Sequence, residues 1–159
     1  MNLTSNYAGL FGIRVNVTLA DNSNSVAQGY FSIQRNGLSV EPSSEFGEGG
    51  FQALLLPGSN ATFKLSAFNI TSGENMYGGN VTEAFVKKIT IMSFTGGSTE
   101  ITGIESNFTF VNAANSEGEP YISGGPLPNV AGPQMITVMA SVNGTNNITA
   151  DAFYMGKYL

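Results

Sequence analysis

Apolar and polar residues alternate along several short stretches of this chain, and a period of two marks strands with one wet face. The cleanest stretch sets Phe11, Ile13, Val15, Val17 and Leu19 against Gly12, Arg14, Asn16 and Thr18. Another follows Pro57-Gly58, a turn pair because proline presets φ and glycine accepts φ > 0. Beyond it Ala61, Phe63, Leu65 and Ala67 share one side, and Asn60, Thr62, Lys64 and Ser66 the other. At Phe68-Asn69-Ile70 that alternation shifts by one position, as at a β-bulge or an early strand end. Gln28 to Gln34 predicts a strand with Phe31 and Ile33 inward, after a turn at Asp21 to Ser25. Asn36-Gly37 reads as a hairpin turn.

Phe51 to Leu56 predicts a short apolar strand, and Ile101 to Val111 one with Phe108 and Phe110 on a single face. Gln134 to Val142 puts Ile136, Val138, Ala140 and Val142 on one side. Asn143-Gly144 turns the chain into a last strand, Asn147 to Met155. Val81 to Phe94 is ambiguous. Thr82 suits a helix cap and Glu83 sits four residues before Lys87, yet Ile89-Thr90-Ile91 favours a strand. Residues 39–50, 72–80 and 112–133 read as Gly/Pro/Asn-rich loops, and Gly96-Gly97 as a break. Eight or nine strands with almost no helical period predict an all-β protein. The expected form is a single Ig-like or jelly-roll-like β-sandwich with long Gly/Pro-rich loops, residues 1–19 forming an N-terminal strand and 20–159 the sandwich.

Composition narrows the chemistry. The 159 residues suffice for one domain with a real core, but only 11% are charged, less than half the usual share. The polar surface must therefore be built from Asn, Ser, Thr and Gly. A net charge of −5 without a basic cluster argues against nucleic acid. Cysteine and histidine are absent, which excludes disulfides, Ser-His chemistry and the usual zinc sites. No catalytic residue, cofactor or metal site is expected. Glu45 with Glu48, or Glu117 with Glu119, could be posed as a glycosidase pair, but acidic residues in such loops are ordinarily just solvated. No apolar run is long enough to span a membrane, and the opening residues lack signal-peptide character. Met1 leaves open whether the numbering starts at an initiator or at a mature N-terminus.

Eight Asn-x-Thr triplets begin at Asn2, Asn16, Asn60, Asn69, Asn80, Asn107, Asn143 and Asn147. With 17 Asn and 13 Thr, random placement gives roughly 17 × 13/159 ≈ 1.4 such triplets. With 16 Ser it gives roughly 1.7 Asn-x-Ser triplets, and there are none. A wet strand face also reads Asn-apolar-Thr, since positions i and i+2 share a side. That reading does not explain the exclusion of serine. N-linked glycosylation does, and it implies an extracellular protein whose partners include its own glycans.

Leu56-Pro57-Gly58, then Phe63-Lys64-Leu65, then Asn69 and Gly73 resemble a motif of secreted β-sandwich proteins found in the TasA/camelysin group of fibre-forming proteins. The resemblance spans about twenty residues. It implies a homopolymer assembled head to tail by donor-strand complementation, in which one subunit's N-terminal strand completes its neighbour's sheet. On that basis Phe11, Ile13, Val15, Val17 and Leu19 are the expected donor residues. TasA-like archaeal pilus and thread subunits also carry dense N-glycosylation, so the resemblance implies a cell-surface filament. The alternatives are a surface adhesin or carbohydrate-binding module using Tyr7, Tyr30, Tyr77, Tyr121, Tyr154 or Tyr158, or a surface-layer or viral coat component.

Overall fold

Turn residues cut the chain into strands of three to twelve residues. The computed structural model describes residues 9–33, 35–43, 53–71, 74–77, 80–112 and 119–158. Its strands are β1 (Gly9–Thr18), β2 (Asn24–Ile33), β3 (Arg35–Ser43), β4 (Ala53–Leu55), β5 (Ala61–Thr71) and β6 (Glu74–Tyr77). Then come β7 (Val81–Met92), β8 (Ser98–Ile101), β9 (Phe108–Val111), β10 (Tyr121–Gly124), β11 (Gly132–Val142) and β12 (Thr145–Gly156). The only helical element among the described residues is a 3₁₀ turn at Glu105–Asn107.

The chain divides into two compact units, one within residues 1–35 and 69–76, the other within 36–68 and 77–159. In the first, β1 and β2 pair antiparallel from Gly9↔Ile33 to Thr18↔Asn24 as a two-stranded sheet. The second is an all-β sandwich. One sheet runs β3-β5-β10-β9 and the other runs β4-β12-β11-β7-β8; β6, which pairs with β5, falls mostly within residues 69–76 of the first unit. All neighbours in the second sheet are antiparallel except β4, which lies parallel to β12.

The alternating strands supply the core between these sheets. Ala61, Phe63, Leu65 and Ala67 of β5 are buried with Leu38, Val40 and Ile122. Facing them are Ile136, Val138, Ala140 and Val142 of β11, with Val86 and Ile89 of β7. Phe63 and Tyr154 meet across the gap with ring centroids 6.1 Å apart. Each fully buried Phe, Leu or Ile side chain here contributes about 1.5–3 kcal/mol.

Several expectations need correction. Asn36-Gly37 is not a turn; both residues lie inside β3. Glycine stands at 37 because the ring of Phe68 lies on it, where a Cβ would collide with Phe68 Cε2 and Cζ. β5 does not end early, since it reaches Thr71. Its alternation carries on past Ala67, with Phe68 outward over Gly37 and the side-chain oxygen of Asn69 buried. The loops at 39–50, 72–80 and 112–133 contain the end of β3, β6 and β10. Asn24 and Ser25 already belong to β2, and Leu19 sits in the turn, donating its N–H to Ser23 O at 2.8 Å. β1 and β2 share one compact unit, so the boundary expected after residue 19 falls inside their connection.

The ambiguous segment is β7, and its ladder explains the ambiguity. Its register against β11 slips twice, between Thr137 and Val138 and between Ser141 and Val142. Thr82 and Lys87 are the extra residues, so the buried apolar positions fall at Val81, Ala84, Val86 and Ile89. Spacings of three, two and three mimic a helical stripe.

Candidate assembly and glycosylation surfaces

Cross-strand pairing gives the β1–β2 hairpin two unlike faces. One carries the pairs Phe11↔Phe31, Ile13↔Gly29, Val15↔Ala27 and Val17↔Ser25; the other carries Gly12↔Tyr30, Arg14↔Gln28, Asn16↔Val26 and Thr18↔Asn24. The apolar face is anchored by Phe11 stacked on Phe31, centroids 5.7 Å apart and rings 21° from parallel. Toward the turn it is uncovered: Val15 and Val17 are each 45% exposed. The turn is closed by Asp21, whose Oδ1 accepts from Ser23 Oγ at 2.5 Å and Ser23 N at 2.9 Å. The Ser23 hydroxyl first, and its N–H second, hold the Asp21 carboxyl below the usual carboxylate range. Of the expected donor residues, the structure thus aligns Phe11, Ile13, Val15 and Val17 on one face and leaves Leu19 in the exposed turn. Their pairing partner is β2, which the alternation of Ala27, Gly29 and Phe31 makes legible only once the register is known.

The sandwich has incompletely paired edges. β11 flanks β12 along its length, but β4 covers only Tyr154, Met155 and Gly156. From Thr145 to Phe153 no described strand pairs with the other side of β12. Ile148 and Ala150, which point inward there, are only half-buried against the core. β7 has a comparable stretch, since β8 pairs only with Ile89 to Met92. Its inward residues Val81, Ala84 and Val86 are nevertheless fully covered. Of these two strands, β12 is the one whose inward side chains stay half-buried along its unpaired stretch.

The acceptor asparagines fall mainly on exposed positions. Asn16, Asn60, Asn80, Asn107, Asn143 and Asn147 are exposed, Asn69 is half-buried, and Asn2 lies outside the described residues. Asn60 and Asn107 gather at one end of the sandwich, beside Gly125, whose N–H donates to Asn107 O at 3.1 Å. Asn80 and Asn143 meet at the other end: Asn80 N–H donates to Asn143 Oδ1 at 2.7 Å and Asn143 N–H to Asn80 O at 2.9 Å. N-glycosylation takes the amide nitrogen and leaves Oδ1 free to accept, so this clasp is compatible with a sugar on Asn143. The Asn69 oxygen is buried with no hydrogen-bond partner.

Other candidates fare differently. Glu45, Glu48 and Glu117 lie outside the described residues, and Glu119 is exposed. Tyr30 and Tyr158 are exposed at 75% and 63%, Tyr121 is half-buried, and Tyr154 is enclosed in the core. Burial pushes the Tyr154 phenol well above its ordinary pKa. Tyr7 and the side chain of Tyr77 lie outside the described set. Among the described residues no helix is long and apolar enough to cross a membrane. The outer face of the β12-β11-β7 sheet also bears a shallow hollow that sequence pattern did not single out, because its lining comes from three strands.

No protein-family model matches the chain, and the search of curated proteins finds no match. The likeness to TasA/camelysin proteins therefore rests on the residues quoted for it.

Proposed function

We propose that this chain is the structural subunit of a glycosylated extracellular filament, a pilus or thread, that polymerises head to tail by strand complementation. The observation that supports this reading most is the β1–β2 hairpin, which shares a compact unit with residues 69–76 and has one apolar face on which Val15 and Val17 are half uncovered. A two-stranded hairpin by itself is marginal in water, so this face needs a partner surface. The sandwich of a second copy offers one at β12, where main-chain groups and half-buried Ile148 and Ala150 adjoin an open edge. A contact between unlike surfaces does not close on itself and so propagates a fibre.

Pre-pairing with β2 changes the energetics of donation. Ordering about ten backbone residues from coil would cost roughly 10–20 kcal/mol, against roughly 8–15 kcal/mol from burying five apolar side chains. A strand already held in a hairpin has lost most of that freedom before it meets its neighbour, so apolar burial and edge hydrogen bonds can carry the exchange. Asn16 lies on the opposite face from Val15 and Val17, so a sugar there leaves the apolar face clear.

The test is assembly of the secreted chain, followed by electron microscopy and light scattering. Wild type should form fibres. The double variant Val15→Asp/Val17→Asp, and a chain lacking residues 1–19, should give particles of monomer mass with the β-sheet circular dichroism retained. Fibres formed equally well by the double variant would rule out this hairpin as the donated element.

A further inference from the structure

The hollow on the outer face of the second sheet has a volume of about 340 Å³ and is lined by Glu83, Phe85, Met139, Ala140, Ser141, Asn146 and Asn147. This is the small end of the roughly 300–1,000 Å³ range of ligand pockets. The register explains its lining. Phe85 pairs with Met139, and Met139 with Thr149, so three outward side chains form a row across β7, β11 and β12. The next row sets Glu83 beside Ser141. Opposite Ser141, β12 bulges: Ala140 pairs with Ile148 and Val142 with Thr145, so that Asn146 and Asn147 together face the single residue Ser141. Asn147 takes φ 62°, in the left-handed region that asparagine tolerates.

One wall of the hollow is thus the attachment residue of an Asn-x-Thr acceptor, with Thr149 lying on the Phe85–Met139 row. Neighbouring strands are about 4.8 Å apart, so Phe85 stands about 10 Å from Thr149, within reach of a sugar held on Asn147. Phe85 keeps 39% of its surface exposed and Met139 is half-buried, so together they offer an apolar shelf. Glu83 supplies a carboxylate. Ser141 Oγ donates to Asn146 Oδ1 at 2.8 Å, which leaves its lone pairs to accept. An apolar shelf edged by acceptors suits a pyranose, which has C–H faces and a rim of hydroxyl donors.

We infer that this hollow seats the carbohydrate linked to Asn147, the first sugar lying on Phe85 and Met139 with its hydroxyls toward Glu83 and Ser141. The inference rests on the glycoprotein reading above and adds a place for one particular glycan. It also gives that glycan a direction. A sugar drawn over β11 toward β7 leaves the far edge of β12 open for a neighbouring subunit.

The experiment uses chain secreted from an N-glycosylating host, with peptide mass mapping of every acceptor. Thermal unfolding is measured with the sugar on Asn147 and without it (Thr149→Ala), in wild type and in Phe85→Leu, which keeps apolar bulk but removes the ring. The sugar should raise Tm by about 2–4 °C in wild type and by under about 1 °C in Phe85→Leu. Its ring protons should show upfield shifts that vanish in the variant. Equal Tm increments with no upfield shift, on a chain that does carry sugar at Asn147, would overturn the seat and leave the glycoprotein reading standing. Sugar on other acceptors but never on Asn147 would do the same. Absence of sugar at every acceptor would overturn both.

Discussion

Tyr154 donates its phenolic hydrogen to Gln134 Oε1 at 2.6 Å, with both side chains buried in the sandwich. The two residues pair directly across β11 and β12. Gln134 Nε2 in turn donates to Val130 O at 2.9 Å, so both ends of the buried amide are satisfied. Gly156 lies against this group: a Cβ there would stand 2.5 Å from Val130 O and 2.9 Å from Gln134 Nε2. Tyr154→Phe keeps the ring but strands the Gln134 oxygen. The expected loss is about 1–3 kcal/mol, read as a lower urea midpoint at unchanged slope.

The same phenol makes stability sensitive to alkali. Burial raises the folded-state pKa of Tyr154 above the ordinary value of 10.0. Unfolding therefore releases a proton once the solution passes the unfolded pKa. The stabilisation is present in full below that value and is lost as pH climbs toward the folded one. The wild-type unfolding free energy should fall more steeply than that of Tyr154→Phe above about pH 10, by up to about 1.4 kcal/mol per pH unit. Parallel urea titrations of the two proteins on either side of that pH check it.

Phe68 and Gly37 form an aromatic–glycine pair on the outer face of the first sheet. Gly37→Val should push the ring off its shelf and destabilise by about 1–3 kcal/mol, despite the better strand propensity of valine. A double-mutant cycle with Phe68→Ala separates the terms. The penalty of Gly37→Val should shrink by at least about 0.5 kcal/mol once the ring is gone.

Acceptor occupancy should follow exposure. Site-resolved mass spectrometry of secreted material is expected to find sugar on Asn16, Asn60, Asn80, Asn107, Asn143 and Asn147, and none on half-buried Asn69. Asn69→Gln should then leave the intact mass without any loss of carbohydrate. A glycan mapped to Asn69 would contradict this.

Strand content was legible wherever one face was buried and the ladder was regular. β5, β11 and β12 declare themselves because burial alternates with the pleat, and β1 because its residue types alternate although Val15 and Val17 are exposed. The turns Pro57-Gly58 and Asn143-Gly144 were equally legible: Gly58 takes φ 70°, and Asn143 and Gly144 take 48° and 79°. The same local logic failed at Asn36-Gly37, where glycine answers to a ring 31 residues further on. It blurred β7, where two bulges made strand burial imitate a helix. Of the candidate surfaces, the acceptor triplets could be found from sequence. The hollow and the open edge could not, since both depend on which strands become neighbours.

The order of side chains along each strand by itself determined that this protein is all-β, poor in charge, free of cysteine and histidine, and dotted with Asn-x-Thr. Those properties are local, carried by neighbours in the chain. Tertiary structure alone decided that β1 takes β2 as its partner, that no described strand pairs with the outer side of β12 from Thr145 to Phe153, and that Phe85, Met139 and Asn147 share one face. Strand pairing joins residues far apart in sequence, and the free energy that selects a register comes from the apolar area the whole sandwich removes from water.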